Sequence, residues 1–327
     1  MSLLVPSTPF ECVTVRYLRH QRALGKQFRR ESWVIGLLVR FLAGRDATDL
    51  DVGQFDAWCY ARCHTSPTSR RSEALIVRRL CRYRRRTEPD CFIPDPLYFP
   101  RRVLPIAPVI FGPAEVTRML QAILAWPSHP QYPLRKPALR LAVILLYTSG
   151  LRLGEVAGLT LADVDLKSST LRIRESKFHK TRIVPLSASA THALRQFLRV
   201  RLAPPWDITA NAPLFGHHHG STHFRAYVPN ALGRALRQIL AAARVCDPFG
   251  RLARVHDFRH SFAVQALLRW YRTGADVQAK LPQLSIYLGH VSIASTAYYL
   301  HFVPQIAAAA HRRFERHFGP LACGGVR

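Results

Sequence analysis

Residues 288–302 read LGHVSIASTAYYLHF. Gly289 and His290 close the apolar segment LPQLSIYLGH, a short Ser/Thr-rich run follows, and Tyr298 and Tyr299 stand side by side. A tyrosine hydroxyl is a nucleophile toward phosphorus where cations stabilise the charge that develops. A tyrosine pair behind a Gly-His turn serves equally well as core packing, so the choice turns on the cations upstream. The chain supplies Arg152 in TSGLRLGEVAGL, Lys177 in RESKFHKTRIVPL, and His256 with Arg259 in HDFRH.

The composition narrows the class of partner. At 327 residues the chain is long enough for two domains, each with its own core. It carries 47 Lys+Arg against 20 Asp+Glu, a formal charge of +27, which favours a polyanion. Nucleic acid is the first candidate and an anionic membrane surface the second. The apolar run LAVILLY at 141–147 is far too short to span a bilayer, and MSLLVPSTPFECVTVRYLRH has no signal-peptide pattern. The expectation is a cytoplasmic, nucleoid-associated bacterial protein with no membrane partner. Seven irregularly spaced cysteines argue against a disulfide framework. Cys59, Cys63 and His64 lack a second ligand pair for zinc, and buried thiols on one helix face explain the two cysteines.

Residues 1–90 read as several helices. Trp33, Val34, Leu37, Leu38 and Phe41 have the spacing of one buried helix face, and Leu50–Ala61 forms a further short helix. Ser66-Pro67 caps a longer one running to Arg86, with Leu75, Ile76 and Leu80 as its apolar face. Arg70, Arg71, Arg78, Arg79, Arg82, Arg84, Arg85 and Arg86 crowd the rest of that helix, with Glu73 nearly alone among them. Solvated faces normally mix signs, so this one reads as facing phosphates.

Six prolines between Ile93 and Pro113 exclude a regular helix or central strand and mark a linker. Helices are expected at 113–125, 137–147, 151–159 and 189–202. Alternation at 169–174 and 182–186 predicts two strands joined by a Lys-rich turn at 176–181. His217, His218 and His219 fall in a polar loop. Further helices follow at 230–245, 257–273, 283–288 and 304–318. The fold class is mainly α with a small antiparallel sheet, that is α+β.

The order and spacing of these motifs resemble the tyrosine recombinase (phage integrase) family, over nearly the whole chain. The resemblance implies a helical DNA-binding domain at 1–92, a Pro-rich linker at 93–112 and a catalytic domain at 113–303. A C-terminal helix and tail at 304–327 would be exchanged between protomers. It makes Arg152 and Arg259 phosphate clamps and Glu155 their support. Lys177, favoured over Lys180, would protonate the leaving 5′ oxygen. His256 would act as base or relay beside the nucleophile, His290 would donate a further hydrogen bond, and His260 would be a helix-packing residue. The family's nucleophile lies nine residues after the histidine of the LGH turn, which selects Tyr299 over Tyr298. Of the N-terminal arginines, Arg70, Arg71, Arg78, Arg79, Arg82 and Arg85 are the expected DNA contacts.

No cofactor or metal is expected, because arginines and a lysine take the role of metal ions. The implied partners are double-stranded DNA recombination sites, a homotetramer on two duplexes, and sister recombinases. The stretches YLRHQRALGKQFR and YLGHVSIASTAYYLHF resemble enzymes of mobile elements that carry several recombinases in tandem. Two other readings keep the same residues: a catalytically silent DNA-binding accessory factor, and a topoisomerase-like nicking-closing enzyme.

Overall fold

The computed structural model describes residues 8–103, 106–174, 181–219, 223–290, 292–293, 296–297, 299, 308, 311–312 and 314–315. Lys177, Lys180 and Tyr298 lie outside the described residues, as does most of 304–318. The chain divides into two compact units, Met1–Ile106 and Ala107–Arg327.

The first unit is helical: α1 (Pro9–Ala23), α2 (Arg29–Ala43), α3 (Val52–Ala61) and α4 (Pro67–Arg84). Thr8, Asp51 and Ser66 each accept a backbone N–H at the start of a helix, satisfying a donor that has no partner within it. The buried stripe of α2 is Val34, Ile35, Leu38 and Leu42. It is turned relative to the expected stripe, and Trp33 stays 53% exposed with the Arg62 guanidinium 5.8 Å from its ring centre. On α4, Ile76, Val77 and Leu80 are buried while Leu75 is exposed. Cys63 is also exposed, so the two thiols do not share a buried face.

The charges on α4 sort into three groups. Arg84 is buried and pairs with Asp49 and Glu88, and buried Glu73 receives two 3.0 Å bonds from Arg62. Arg71, Arg78 and Arg85 recur every seven residues on one stripe. They donate to the carbonyls of Pro100, Pro94 and Pro89 respectively. Three of the arginines expected on DNA therefore hold the following Pro-rich segment along their own helix. Arg79 and Arg82 are exposed, Arg79 with only a 3.8 Å approach to Glu31.

The Pro-rich stretch is shared between the two cores. Phe92, Ile93 and Phe99 join the first, whereas Val109 and Phe111 join the second.

The second unit is built around α6 (Arg135–Ser149), preceded by α5 (Pro113–Ala125). Ala138, Leu139, Leu141, Ala142, Val143, Leu145 and Leu146 are all buried, so α6 is apolar around most of its circumference. It is enclosed by α5, α8 (Ala188–Arg201), α9 (Pro229–Ala242) and α10 (Asp257–Arg272). Each such buried Leu or Val contributes roughly 1.5–3 kcal/mol.

The sheet is antiparallel in the order β1 (Val164–Asp165), β2 (Thr170–Ile173), β3 (Arg182–Pro185), with Ile173 opposite Arg182. The two-residue β1 is too short to leave a period in the sequence. A second hairpin, β4 (Gly216–His219) and β5 (His223–Ala226), replaces the loop expected around the three histidines. Its strands lack the β-branched alternation that marks a strand. Tertiary contacts support it: the Phe224 ring lies 4.1 Å from the buried Arg201 guanidinium and 5.9 Å from Trp206.

Two helices shape the site through their ends. The helix between α6 and the sheet, α7 (Leu153–Ala157), is only five residues long. The helix before the LGH turn, α11 (Val277–Leu288), begins six residues earlier than expected and runs through Pro282. Proline usually breaks a helix interior. Here Asp276 caps the helix, and burial of Val277, Leu281, Leu284 and Leu288 holds it together.

Candidate active site

The site forms where α7, α10 and α11 end near one another. Helix α6 stops at Gly150, whose φ of +59° is left-handed, and a Cβ there would sit 2.5 Å from Phe262 Cδ1. Only glycine makes that turn without strain. The chain then reverses into α7, with Arg152 at its N-cap position. Glu155, one turn on, accepts the Arg152 backbone N–H at 2.9 Å and its Nη1 at 2.8 Å. Arg152 Nη2 reaches across to the Gly289 carbonyl at 3.0 Å.

Arg259 comes from the first turn of α10 and is 1% exposed. Its Nη1 donates to Gly150 O at 2.8 Å and its Nη2 to Leu288 O. The two guanidinium groups are thus hung from the same pair of turns. Burial and then the neighbouring Arg152 push the Arg259 pKa down to about 10, while Tyr299 and Glu155 push back. It remains a cation at neutral pH.

Burial alone would raise the Glu155 carboxyl, but hydrogen bonds from Arg182 and Arg152 hold it below the ordinary value, so it stays ionised. Arg182 contributes two of those bonds, at 3.0 and 2.9 Å, and a third to Tyr287 O at 2.8 Å.

Tyr299 is 4% exposed and stands between two imidazoles. His260 meets its ring edge-on at 5.3 Å between centres, and His290 lies nearly parallel at 6.1 Å. His256 adjoins His260 at 4.8 Å. Burial, followed by neighbouring cationic groups, pushes His290 down to about 4. Burial and then His256 do the same for His260. Both rings are therefore neutral at pH 7. His256 keeps an exposed edge, yet desolvation and then Arg259 lower it too. The His290 ring is oriented by a 2.8 Å bond between Nδ1 and Thr296 Oγ1.

The model of the phage integrase family matches residues 113–305. This chain belongs to that family of tyrosine recombinases. The integrase is 32% identical over 310 residues to the protein named integrase/recombinase y4rB of Sinorhizobium fredii, covering 94% of this chain and 98% of that one. It is 29% identical to the tyrosine recombinase XerC of Pelobacter propionicus, covering 78% and 83% respectively. Among solved structures, the Tn1549 transposon integrase in complex with transposon right end DNA shares the fold. The TM-score is 0.62 at 17% identity, over 93% of this chain and 98% of that chain. No helix among the described residues of the integrase is long and apolar enough to cross a membrane.

Of the site residues read from the sequence of the integrase, the structure brings together Arg152, Glu155, His256, Arg259, His290 and Tyr299. Lys177 lies outside the described residues. Sequence reasoning assigned no role to Arg182, although its R-x-V-P-L setting directly follows the lysine turn. It also placed His260 by helix spacing alone, which carries no sign that its partner is the Tyr299 ring.

Proposed function

We propose that this integrase is a site-specific DNA recombinase that cleaves and rejoins DNA through a 3′-phosphotyrosine. The observation that carries the reading is the gathering of Arg152, Arg259, His290 and Tyr299 around the turn at 288–290, two cations and a neutral imidazole beside one phenol. In the reaction the Tyr299 oxygen attacks the scissile phosphorus, forming one P–O bond and breaking the bond to the 5′ oxygen. Charge accumulates on the non-bridging oxygens, where two guanidinium forks match it. The phenol proton passes toward His256, and Lys177 delivers a proton to the departing 5′ oxygen. The bond energy is kept in the phosphotyrosine, so rejoining needs no outside energy source.

The finer reading is transposition of a mobile element by a tetramer on two duplexes, together with sister recombinases. Supporting it are the resemblance of YLGHVSIASTAYYLHF to enzymes of tandem-recombinase elements and the +27 charge, which suits two duplexes. Incubation with DNA nicked beside the cleavage point is the test. The wild-type protein is expected to trap DNA covalently, Tyr298→Phe to retain the adduct, and Tyr299→Phe to bind without trapping. An adduct formed by Tyr299→Phe would refute the assignment.

A further inference from the structure

Three segments distant in sequence meet on one side chain, Arg182, whose own side chain is only 11% exposed. It opens β3, five residues after Lys177 in sequence. Its Nη1 and Nη2 donate to Glu155 Oε1 and Oε2, and its Nε donates to Tyr287 O in the last turn of α11. Glu155 in turn holds Arg152, and Arg152 donates to Gly289 O. The bonds close a ring: Arg182, Glu155, Arg152, the Gly289 carbonyl, the end of α11, and back to Arg182. Gly289 completes the fit. It has φ +65°, and a Cβ on it would come within 3.0 Å of Arg182 Nη1.

The ring divides the labour between the two arginines. Arg182 occupies both carboxylate oxygens with a planar fork, so Glu155 is fixed in direction and shared. Arg152 takes a single bond to Oε1 and is 24% exposed in its side chain. The more buried arginine is thus the anchor, and the more exposed one keeps donors for a phosphate. A lysine in place of Arg182 has one nitrogen and cannot serve both oxygens and the Tyr287 carbonyl in this geometry.

We propose that Arg182 is a positioning residue. It sets Arg152 through Glu155, and it sets the turn bearing His290 through the Tyr287 carbonyl. Because Arg182 lies in β3, which pairs with β2, it also ties that sheet to Arg152. The inference rests on the recombinase reading above.

The test compares single-turnover covalent capture on two nicked substrates, one with an ordinary scissile phosphate and one with a neutral methylphosphonate. A phosphate that lacks its charge has little use for a well-placed Arg152. Arg182→Met is expected to slow capture on phosphate on the order of 10²-fold, the cost of a misplaced catalytic group. On methylphosphonate the defect should shrink at least tenfold, with Arg152→Ala showing the same pattern. Arg182→Lys should resemble Arg182→Met rather than the wild type.

Arg182→Met leaves the Glu155 carboxylate short of partners, so the double variant Arg182→Met/Glu155→Gln is run beside it and is expected to show the same substrate dependence. Wild-type rates in these variants, or equal defects on both substrates, would overturn the positioning role. Absence of capture by the wild-type protein would instead overturn the recombinase reading.

Discussion

Arg152 and Arg259 end on adjacent carbonyls of one turn: Arg152 Nη2 donates to Gly289 O at 3.0 Å, and Arg259 Nη2 donates to Leu288 O. Each is anchored at its other side by groups near the α6–α7 turn, Glu155 for Arg152 and Gly150 O for Arg259. The spacing between the two guanidinium groups is therefore set by the ends of α6 and α11. Displacing either turn moves both cations relative to a bound phosphate.

Gly150→Ala tests that dependence. A left-handed alanine costs roughly 1–2 kcal/mol, and its Cβ would meet Phe262 Cδ1 at 2.5 Å. The denaturation midpoint should fall, and single-turnover DNA cleavage should fall further than the loss of folded protein explains. An unchanged midpoint would contradict the argument.

Lys177 is assigned to the leaving group, and sulfur leaves without a proton. Lys177→Ala should cleave ordinary DNA poorly and recover on a substrate with a 5′-bridging sulfur. Equal defects on the two substrates would assign the lysine to binding instead.

The arginine-rich helix should behave as two sets. Arg71, Arg78 and Arg85 donate to proline carbonyls of the same unit, so their replacement should lower the melting temperature of the protein. Arg79, Arg82 and Arg86 are exposed, and each one lost from a phosphate contact should flatten the slope of log affinity against log salt by about 0.9. Equal slopes for wild type and an Arg79/Arg82/Arg86 triple alanine variant would return this face to ordinary solvation.

Stability should also fall with acid. His260 and His290 are pushed down to about 4 from an ordinary 6.5. Between those values the unfolded chain binds protons that the folded protein refuses, so stability rises with pH across that window. As pH falls from about 6.5 to about 4 the melting temperature should drop, and His290→Gln should flatten the drop. A melting temperature that is flat across this range, in the wild type, would contradict the burial of both rings.

The C-terminal run offers an assembly test. Its described residues 308, 311, 312, 314 and 315 are helical, and Phe314 is 62% exposed. Deleting residues 304–327 should leave binding to a single site largely intact and abolish synapsis of two duplexes. Normal synapsis by the truncated protein would place this segment on its own domain.

The candidate site was legible in the sequence because it is carried by side-chain type at fixed spacing. Arg152 before GEVAGL, Arg259 three residues after His256, and Tyr299 nine after His290 each stand out in linear order. The helices of the second unit were legible for a related reason, since an apolar face repeats with the period of the helix. Errors arose where period was weak. The hairpin at 216–226 has strands without alternation, and α11 contains a proline that its buried face overrides.

The sequence by itself therefore determined the helical class and the family, and it named the candidate reacting groups, because these depend on local pattern and residue chemistry. Only the tertiary structure decided what the arginines do. Arg84 proved to be a buried ion-pair partner; Arg71, Arg78 and Arg85 bind backbone carbonyls; Arg182 anchors Glu155. An arginine's role depends on which acceptors lie within reach of its five N–H groups. Those acceptors include backbone carbonyls, identical in every residue, and carboxylates distant in sequence, and folding alone brings them there.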